Sequence, residues 1–188
     1  MDIIMIRHGK SRDNLNKVYS TSSTPLTKDG IAGVLQTKKL LKEYNYEEVY
    51  YSPYKRAVET LHYLDLKGKE DIRLKEINFG IFAGKTFEEI SNIYPEETKS
   101  WIDDFYNYPI PKGESLLEVY ERVSEFLEEI CDIGKTSILV THDSVIRLAL
   151  CWIFDDPSYF FRFKVDNGSL TTITVDDGYK YINRVNHM

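Results

Sequence analysis

The chain has 188 residues, 42% of them hydrophobic, which is enough material for one compact domain with a sheet covered by helices. A formal net charge of −6 argues against a general nucleic-acid surface, which needs lysine and arginine clustered over a broad face. No apolar run approaches the ~20 residues of a membrane span, and Ile3 to Ile6 is too short and poorly flanked for a signal peptide, so a cytoplasmic protein with no membrane partner is expected.

Residues 2–7 read as a buried strand that delivers Arg7, His8 and Gly9 where the strand gives way to a loop. Thr27 is a plausible N-cap for a helix with the apolar stripe Ile31, Val34, Leu35 and Leu41. Glu48 to Tyr51 reads as a strand. Ser52 and Pro53 follow as helix cap and first helical residue, setting Arg56 in the first turns of a helix at a strand's C-terminal end. Residues 79–112 are rich in aromatics, Phe79, Phe82, Tyr94, Trp101 and Phe105 among them, and are expected to build a small helical cap.

Leu116, Leu117, Val119, Tyr120, Val123, Phe126, Leu127 and Ile130 have helical spacing and make a core-facing helix. Residues 137–141 form a second short apolar strand, ending at His142, and Asp143 or Ser144 is read as the cap of a helix through Val145, Ile146, Leu148 and Leu150. Thr171 to Val175 and Tyr179 to Ile182 flank Asp176, Asp177 and Gly178, a hairpin signal. With no repeat and no linker, residues 1–188 are expected to form a single domain with 79–112 inserted over the active site. Cys131 and Cys151 sit in apolar helical patterns and read as buried reduced thiols in preference to a disulfide or metal pair.

Two arginines and two histidines thus converge at strand ends, the outline of a phosphate-handling site. A longer ordered series surrounds them: Asn14, Pro25-Leu26-Thr27 with Gly30, Ser52-Pro53 with Arg56-Ala57 and Thr60, Leu74 with Glu76, Phe79-Gly80 with Gly84, Gly113-Glu114-Ser115, Arg122-Val123 and Val140-Thr141-His142. This series resembles the histidine phosphatase superfamily, the branch of phosphoglycerate mutases and related phosphatases that form a phosphohistidine. The resemblance implies an α/β fold of phosphoglycerate mutase type, a three-layer sandwich with a largely parallel mixed sheet flanked by helices.

Phosphoester hydrolysis by a covalent route needs a nucleophile, cations for the transferring phosphoryl group and an acid for the leaving oxygen. His8 is the expected nucleophile, one ring nitrogen attacking phosphorus while the other donates to a backbone carbonyl. Gly9 is expected to let the chain turn sharply enough to hold that ring. Arg7 and Arg56 supply planar, always charged forks for phosphate oxygens, with Lys10 adding to a positive cleft. His142 is read as a further donor, charged because it faces a dianion, the alternative being a metal ligand. The metal reading is disfavoured, because no Asp, Glu or Cys set stands at ligand spacing and two guanidiniums would repel a dication. Neither metal nor cofactor is expected.

The resemblance implies that Glu76 is the general acid, its pKa raised by apolar neighbours such as Ile77 and Phe79, and that Asn14 contacts phosphate. Ser20 is a further substrate-binding candidate, but Tyr19-Ser20-Thr21 stands where the family often has Gly-Trp. Asp143 stands where many relatives have Gly after the second histidine. It is read chiefly as a helix cap, with tuning of His142 or selection of a cationic substrate part left open.

The expected function is hydrolysis of a small phosphorylated metabolite through phosphohistidine at His8. The alternatives are a phosphoglycerate mutase, disfavoured by the short interval between Glu76 and Gly113, a protein phosphatase, and a non-catalytic binding module. No particular phosphoester is singled out, and the apolar hairpin edge is compatible with a homodimer or with solvent.

Overall fold

Residues 1–188, described in a computed structural model, build six strands: β1 (Asp2–Arg7), β2 (Glu48–Tyr51), β3 (Lys69–Glu70), β4 (Ser137–Thr141), β5 (Leu170–Asp176) and β6 (Tyr179–His187). They form one sheet in the order β3-β2-β4-β1-β5-β6. The first four are parallel to one another, while β5 runs antiparallel to β1 and β6 antiparallel to β5. Seven helices accompany them: α1 (Arg12–Asn16), α2 (Lys28–Leu40), α3 (Lys55–Leu64), α4 (Phe87–Ile93), α5 (Pro95–Asp103), α6 (Leu116–Ile133) and α7 (Asp143–Trp152).

Strand alternation divides the core into two faces. Ile3 and Met5 of β1 and Leu139 of β4 join α6 and α7 in one apolar cluster. Ile4, Ile6, Ile138 and Val140 point the other way, onto residues of α2 and α3. Both faces of the central strands are therefore covered, as a parallel sheet requires, and the expected three-layer α/β architecture is the one observed. Each fully buried isoleucine here contributes on the order of 1.5–3 kcal/mol.

Local signals set several helix starts. The Thr27 hydroxyl accepts from Gly30 N at 3.0 Å, capping α2 as expected, and Ser115 with Glu118 makes a reciprocal cap on α6. Leu35 departs from the expected stripe of α2: it is 43% exposed, because Val34 one position earlier already occupies the core-facing direction. The helix after β2 also begins later than read. Tyr54, not Ser52, precedes it, so Pro53 is outside the helix and Ser52 is free for another partner.

Asp143 does not cap α7. His142 occupies the N-cap without a side-chain cap bond, and Asp143 is the first helical residue, its carboxylate drawn instead to two guanidiniums. The hairpin forms as read, with Asp177 at φ 46° and Gly178 at φ 81°, the two positive values that a tight two-residue turn needs.

Between residues 79 and 112, α4 and α5 close over a small cluster of Phe82, Ile90, Trp101 and Ile110, against which Tyr19, Phe79 and Phe105 pack. No helix is long and apolar enough to cross a membrane.

Candidate active site

Strand register assembles the site. Ile6 pairs with Val140 and Arg7 with Thr141, so the next residues, His8 and His142, leave the sheet side by side. His8 N donates to Thr141 O at 2.9 Å, and the two imidazole centroids are 5.2 Å apart. Tyr51 of β2 also pairs with Val140, which brings Ser52 and the start of α3, with Arg56, to the same end of the sheet.

His8 is buried and held at both ring nitrogens. Nδ1 lies 2.7 Å from Gly9 O, and Nε2 accepts from Arg56 Nε at 3.0 Å. A carbonyl can only accept, so the proton of the ring belongs on Nδ1 and the lone pair on Nε2. Burial, with Arg56 and then Arg7 adding positive charge, holds the His8 pKa well below its ordinary value, which keeps the ring neutral. Gly9 is needed for a different reason from the turn expected. A Cβ there would stand 2.6 Å from Gly30 O and 2.7 Å from a Val34 methyl, so the loop and α2 meet backbone to backbone.

Arg56 is wholly buried. Its Nη1 donates to Thr21 O at 2.7 Å, and its Nη2 has no partner within the protein. Arg7 is held in a comparable way: Nη1 is shared between Val165 O and Asp143 Oδ1, the latter at 3.2 Å, while the buried Nε is unpartnered. Arg7 is clamped at one nitrogen and Arg56 at two, and each retains a buried donor. His142 adds a third unpartnered nitrogen: Nε2 meets Ser52 Oγ at 2.7 Å, and Nδ1 is buried with no partner. Burial, then Arg56 and His8, holds the His142 pKa well below its ordinary value. That shift favours the neutral ring; the charge expected from the sequence is one acquired on facing a dianion.

Glu76 is buried, with a pKa raised first by burial and further by Asp143, against the opposing pull of Arg56. Its backbone is braced from α6, where Arg122 donates to Arg73 O at 2.5 Å and reaches Glu76 O at 3.5 Å while paired with Glu114 at 3.0 Å.

The remaining candidates differ. Asn14 Oδ1 is committed to the α1 cap, accepting from Ser11 N at 3.0 Å, and it also meets Asn167 Nδ2 at 3.2 Å. Asn167 Nδ2 donates in turn to His8 O at 3.1 Å, which places Asn14 one residue removed from the nucleophile candidate. Ser20 lines a polar cleft of about 440 Å³ with Thr21, Ser22, Tyr54 and Lys75. Lys10 is exposed, and its carbonyl, not its ammonium, is used, accepting from Thr27 N at 2.9 Å.

Sequence reasoning missed Asn167, Tyr54 and Thr21. The Tyr54 ring stands edge-on to His142 at 5.4 Å, with the Arg56 guanidinium 5.4 Å from its centroid. Thr21 acts through its carbonyl, which no side-chain pattern reveals. No group of three or more His, Cys, Asp or Glu side chains is arranged to hold a metal ion.

A strand-end pair of histidines between two clamped arginines, on a mostly parallel sheet with helices on both faces, defines a phosphoryl-transfer protein of the phosphoglycerate mutase-like kind. The family model for the histidine phosphatase superfamily (branch 1) matches residues 3–188, and the chain belongs to that superfamily, as a phosphatase of the class its motifs suggested. It is similar to phosphoserine phosphatase 1 of Hydrogenobacter thermophilus, 30% identical over 98% of this chain and 91% of that protein. Among solved structures it resembles the alpha-ribazole phosphatase from Shigella flexneri, with TM-score 0.92 and 25% identity over 100% of this chain and 96% of that one. Phosphoserine phosphatase from Entamoeba histolytica gives TM-score 0.86 and 25% identity, covering 100% and 97% respectively.

Proposed function

We propose that the protein hydrolyses the phosphate monoester of a small metabolite through a phosphohistidine at His8, with Arg7, Arg56 and His142 holding the phosphoryl group and Glu76 as general acid and base. The observation that carries this reading is the set of three buried, unpartnered nitrogens, Arg7 Nε, Arg56 Nη2 and His142 Nδ1, on the residues that surround His8. Buried polar groups without partners are costly, and three oxygens of a phosphoryl group satisfy them together.

In this reading His8 Nε2 gives up its hydrogen bond from Arg56 Nε and attacks phosphorus as the P–O bond to the alcohol breaks, and Glu76 gives its proton to the departing oxygen. Water then attacks the phosphohistidine, returning a proton to Glu76 and releasing inorganic phosphate. Preorganised donors of this kind are typically worth ~2.7–4 kcal/mol each in the transition state. Residues 79–112 serve as the cap over the site, and Asn14 and Ser20 act around it, Asn14 through Asn167. Free Cys131 and Cys151 suit a reducing compartment, in keeping with cytoplasmic activity. The phosphatases named among its relatives support a small phosphorylated substrate.

The test is phosphate release from a panel of monoesters, in the presence of a chelator, by wild type and His8→Ala, with trapping of acid-labile phosphoenzyme. Turnover and trapped phosphate in wild type alone support the reading. Equal turnover by His8→Ala, or activity that requires an added divalent metal, overturns it.

A further inference from the structure

Glu76 is followed in the chain by Ile77, and Ile77 lines a cleft of about 200 Å³ whose other walls include Tyr19, Phe79, Trp101, Phe105 and Phe161. The rings hold one another in place. Trp101 stands edge-on to Tyr19 at 5.6 Å and 5.1 Å from Phe105, which lies 4.9 Å from Phe161. Ser144, which lies beside Glu76, closes the side toward that carboxylate. A cleft in this position receives whatever is attached to the oxygen that Glu76 protonates.

Two charged side chains reach this cleft, Asp143 and Arg147, and they neutralise each other. Arg147 Nη1 lies 3.2 Å from Asp143 Oδ2, Arg147 Nε donates to Phe160 O at 3.0 Å, and the guanidinium carbon sits 3.9 Å from the Phe160 ring centroid. The other Asp143 oxygen is taken by Arg7. Arg7 in turn is directed at the phosphoryl group, so the wall presents rings and a closed ion pair to the rest of the substrate. A charged substituent entering here loses water and meets two charges already balanced against each other, whereas an uncharged ring gains contact with aromatic walls. The size agrees, since an apolar cavity of ~150 Å³ holds benzene.

We propose that this cleft is the leaving-group pocket and that the Asp143–Arg147 pair sets its charge to neutral, so that the enzyme selects phosphomonoesters whose alcohol carries an uncharged aromatic or similarly flat apolar group over those carrying a carboxylate or an ammonium. The inference rests on the phosphatase reading above. It assigns Asp143 a use that neither a helix cap nor selection of a cation supplies.

Three primary alkyl phosphates test it: benzyl phosphate, phosphoglycolate and phosphoethanolamine, which share an unactivated leaving oxygen and differ in the charge beside it. Wild type is expected to favour benzyl phosphate by about tenfold or more in kcat/KM, the discrimination that filling an apolar pocket provides. Asp143→Asn leaves Arg147 unpaired and is expected to raise the phosphoglycolate to benzyl phosphate ratio by about tenfold; Arg147→Met leaves Asp143 with a single partner and is expected to raise the phosphoethanolamine ratio similarly. Ratios are read because partial misfolding lowers all three esters by one factor. A wild type that prefers either charged ester, or variants that change all three esters equally, overturns the pocket assignment while leaving the phosphatase reading intact. No release from any ester by wild type, with His8→Ala indistinguishable, overturns the phosphatase reading itself.

Discussion

Arg56 Nε donates to His8 Nε2 across 3.0 Å, tying the first residue after β1 to the first turn of α3, 48 positions along the chain. The contact keeps the lone pair of the candidate nucleophile pointed at a cation whose remaining Nη2 donor is free for the phosphoryl group. Lysine preserves the charge but has no fork, so it cannot hold His8, Thr21 O and an oxyanion at once. Arg56→Lys is expected to lower kcat/KM by roughly 10²–10³-fold. Activity within a few fold of wild type, in a variant with an unchanged thermal melt, would remove Arg56 from the site.

Glu76→Gln separates the two proton transfers. With p-nitrophenyl phosphate, whose leaving group needs little help from an acid, the first step is expected to survive and the attack of water to slow. The expected trace is a burst of p-nitrophenol near one equivalent of enzyme followed by a slow steady state, whereas alkyl phosphates show no burst. A stopped-flow record with equal losses in both phases for both esters would mean that Glu76 does not handle these protons.

The lowered pKa of His142 gives a calorimetric signature. A bound dianion reverses the field that Arg56 and His8 impose, so binding is expected to draw in a proton. Sulfate exchanges no proton of its own near neutrality, and the apparent binding enthalpy in two buffers of different ionisation enthalpy counts the protons taken up. Uptake in wild type and none in His142→Asn is the expected pair of results; no uptake in wild type would count against His142 as a phosphoryl donor.

Stability should fall on mild acidification. His8 and His142 are held neutral in the fold, while in the unfolded chain they titrate near the ordinary 6.5. Below that pH the unfolded chain takes up protons that the fold refuses, and each histidine adds a slope of up to ~1.4 kcal/mol per pH unit. Glu76 acts in the opposite sense. Its raised pKa lets the fold keep a proton that the unfolded chain releases above the ordinary 4.5, but it is one group against two. Urea midpoints between pH 7 and 5 should therefore decline, and decline less in His8→Asn/His142→Asn; a flat profile in wild type would contradict the buried neutral imidazoles.

Gly9→Ala tests the backbone approach to α2. The added methyl meets a carbonyl oxygen at 2.6 Å, and neither backbone can yield without shifting α2. Overpacking of this kind typically costs about 1–3 kcal/mol, read as a drop in denaturant midpoint. A loss below about 0.5 kcal/mol, the range of a neutral surface change, would show that the two segments separate freely.

Much of the architecture was legible because its signals are local. The continuous apolar run of β1, the Thr27 cap, the spacing of α6 and the Asp177-Gly178 turn each depend on neighbours a few residues away. The errors fell where a residue had a local option and a distant one. Ser52 had the makings of a cap but bonds His142, 90 positions away, and Asp143 could have capped α7 but pairs with Arg7 instead. Asn167 carried no signal, since its bond to His8 O spans 159 positions and exists because the segment after α7 returns beside β1.

By itself the amino-acid sequence determined the order of strands and helices and the functional groups available at strand ends, because periodicity and caps act over one or two turns of chain. The tertiary structure alone decided which nitrogen of His8 is unprotonated, which donors of Arg7, Arg56 and His142 stay free, and that Asp143 and Arg147 cancel at the wall of an aromatic cleft. Those outcomes follow from parallel register between strands more than a hundred residues apart and from burial, which turns the choice of hydrogen-bond partner into a difference of a kilocalorie or more that no local pattern encodes.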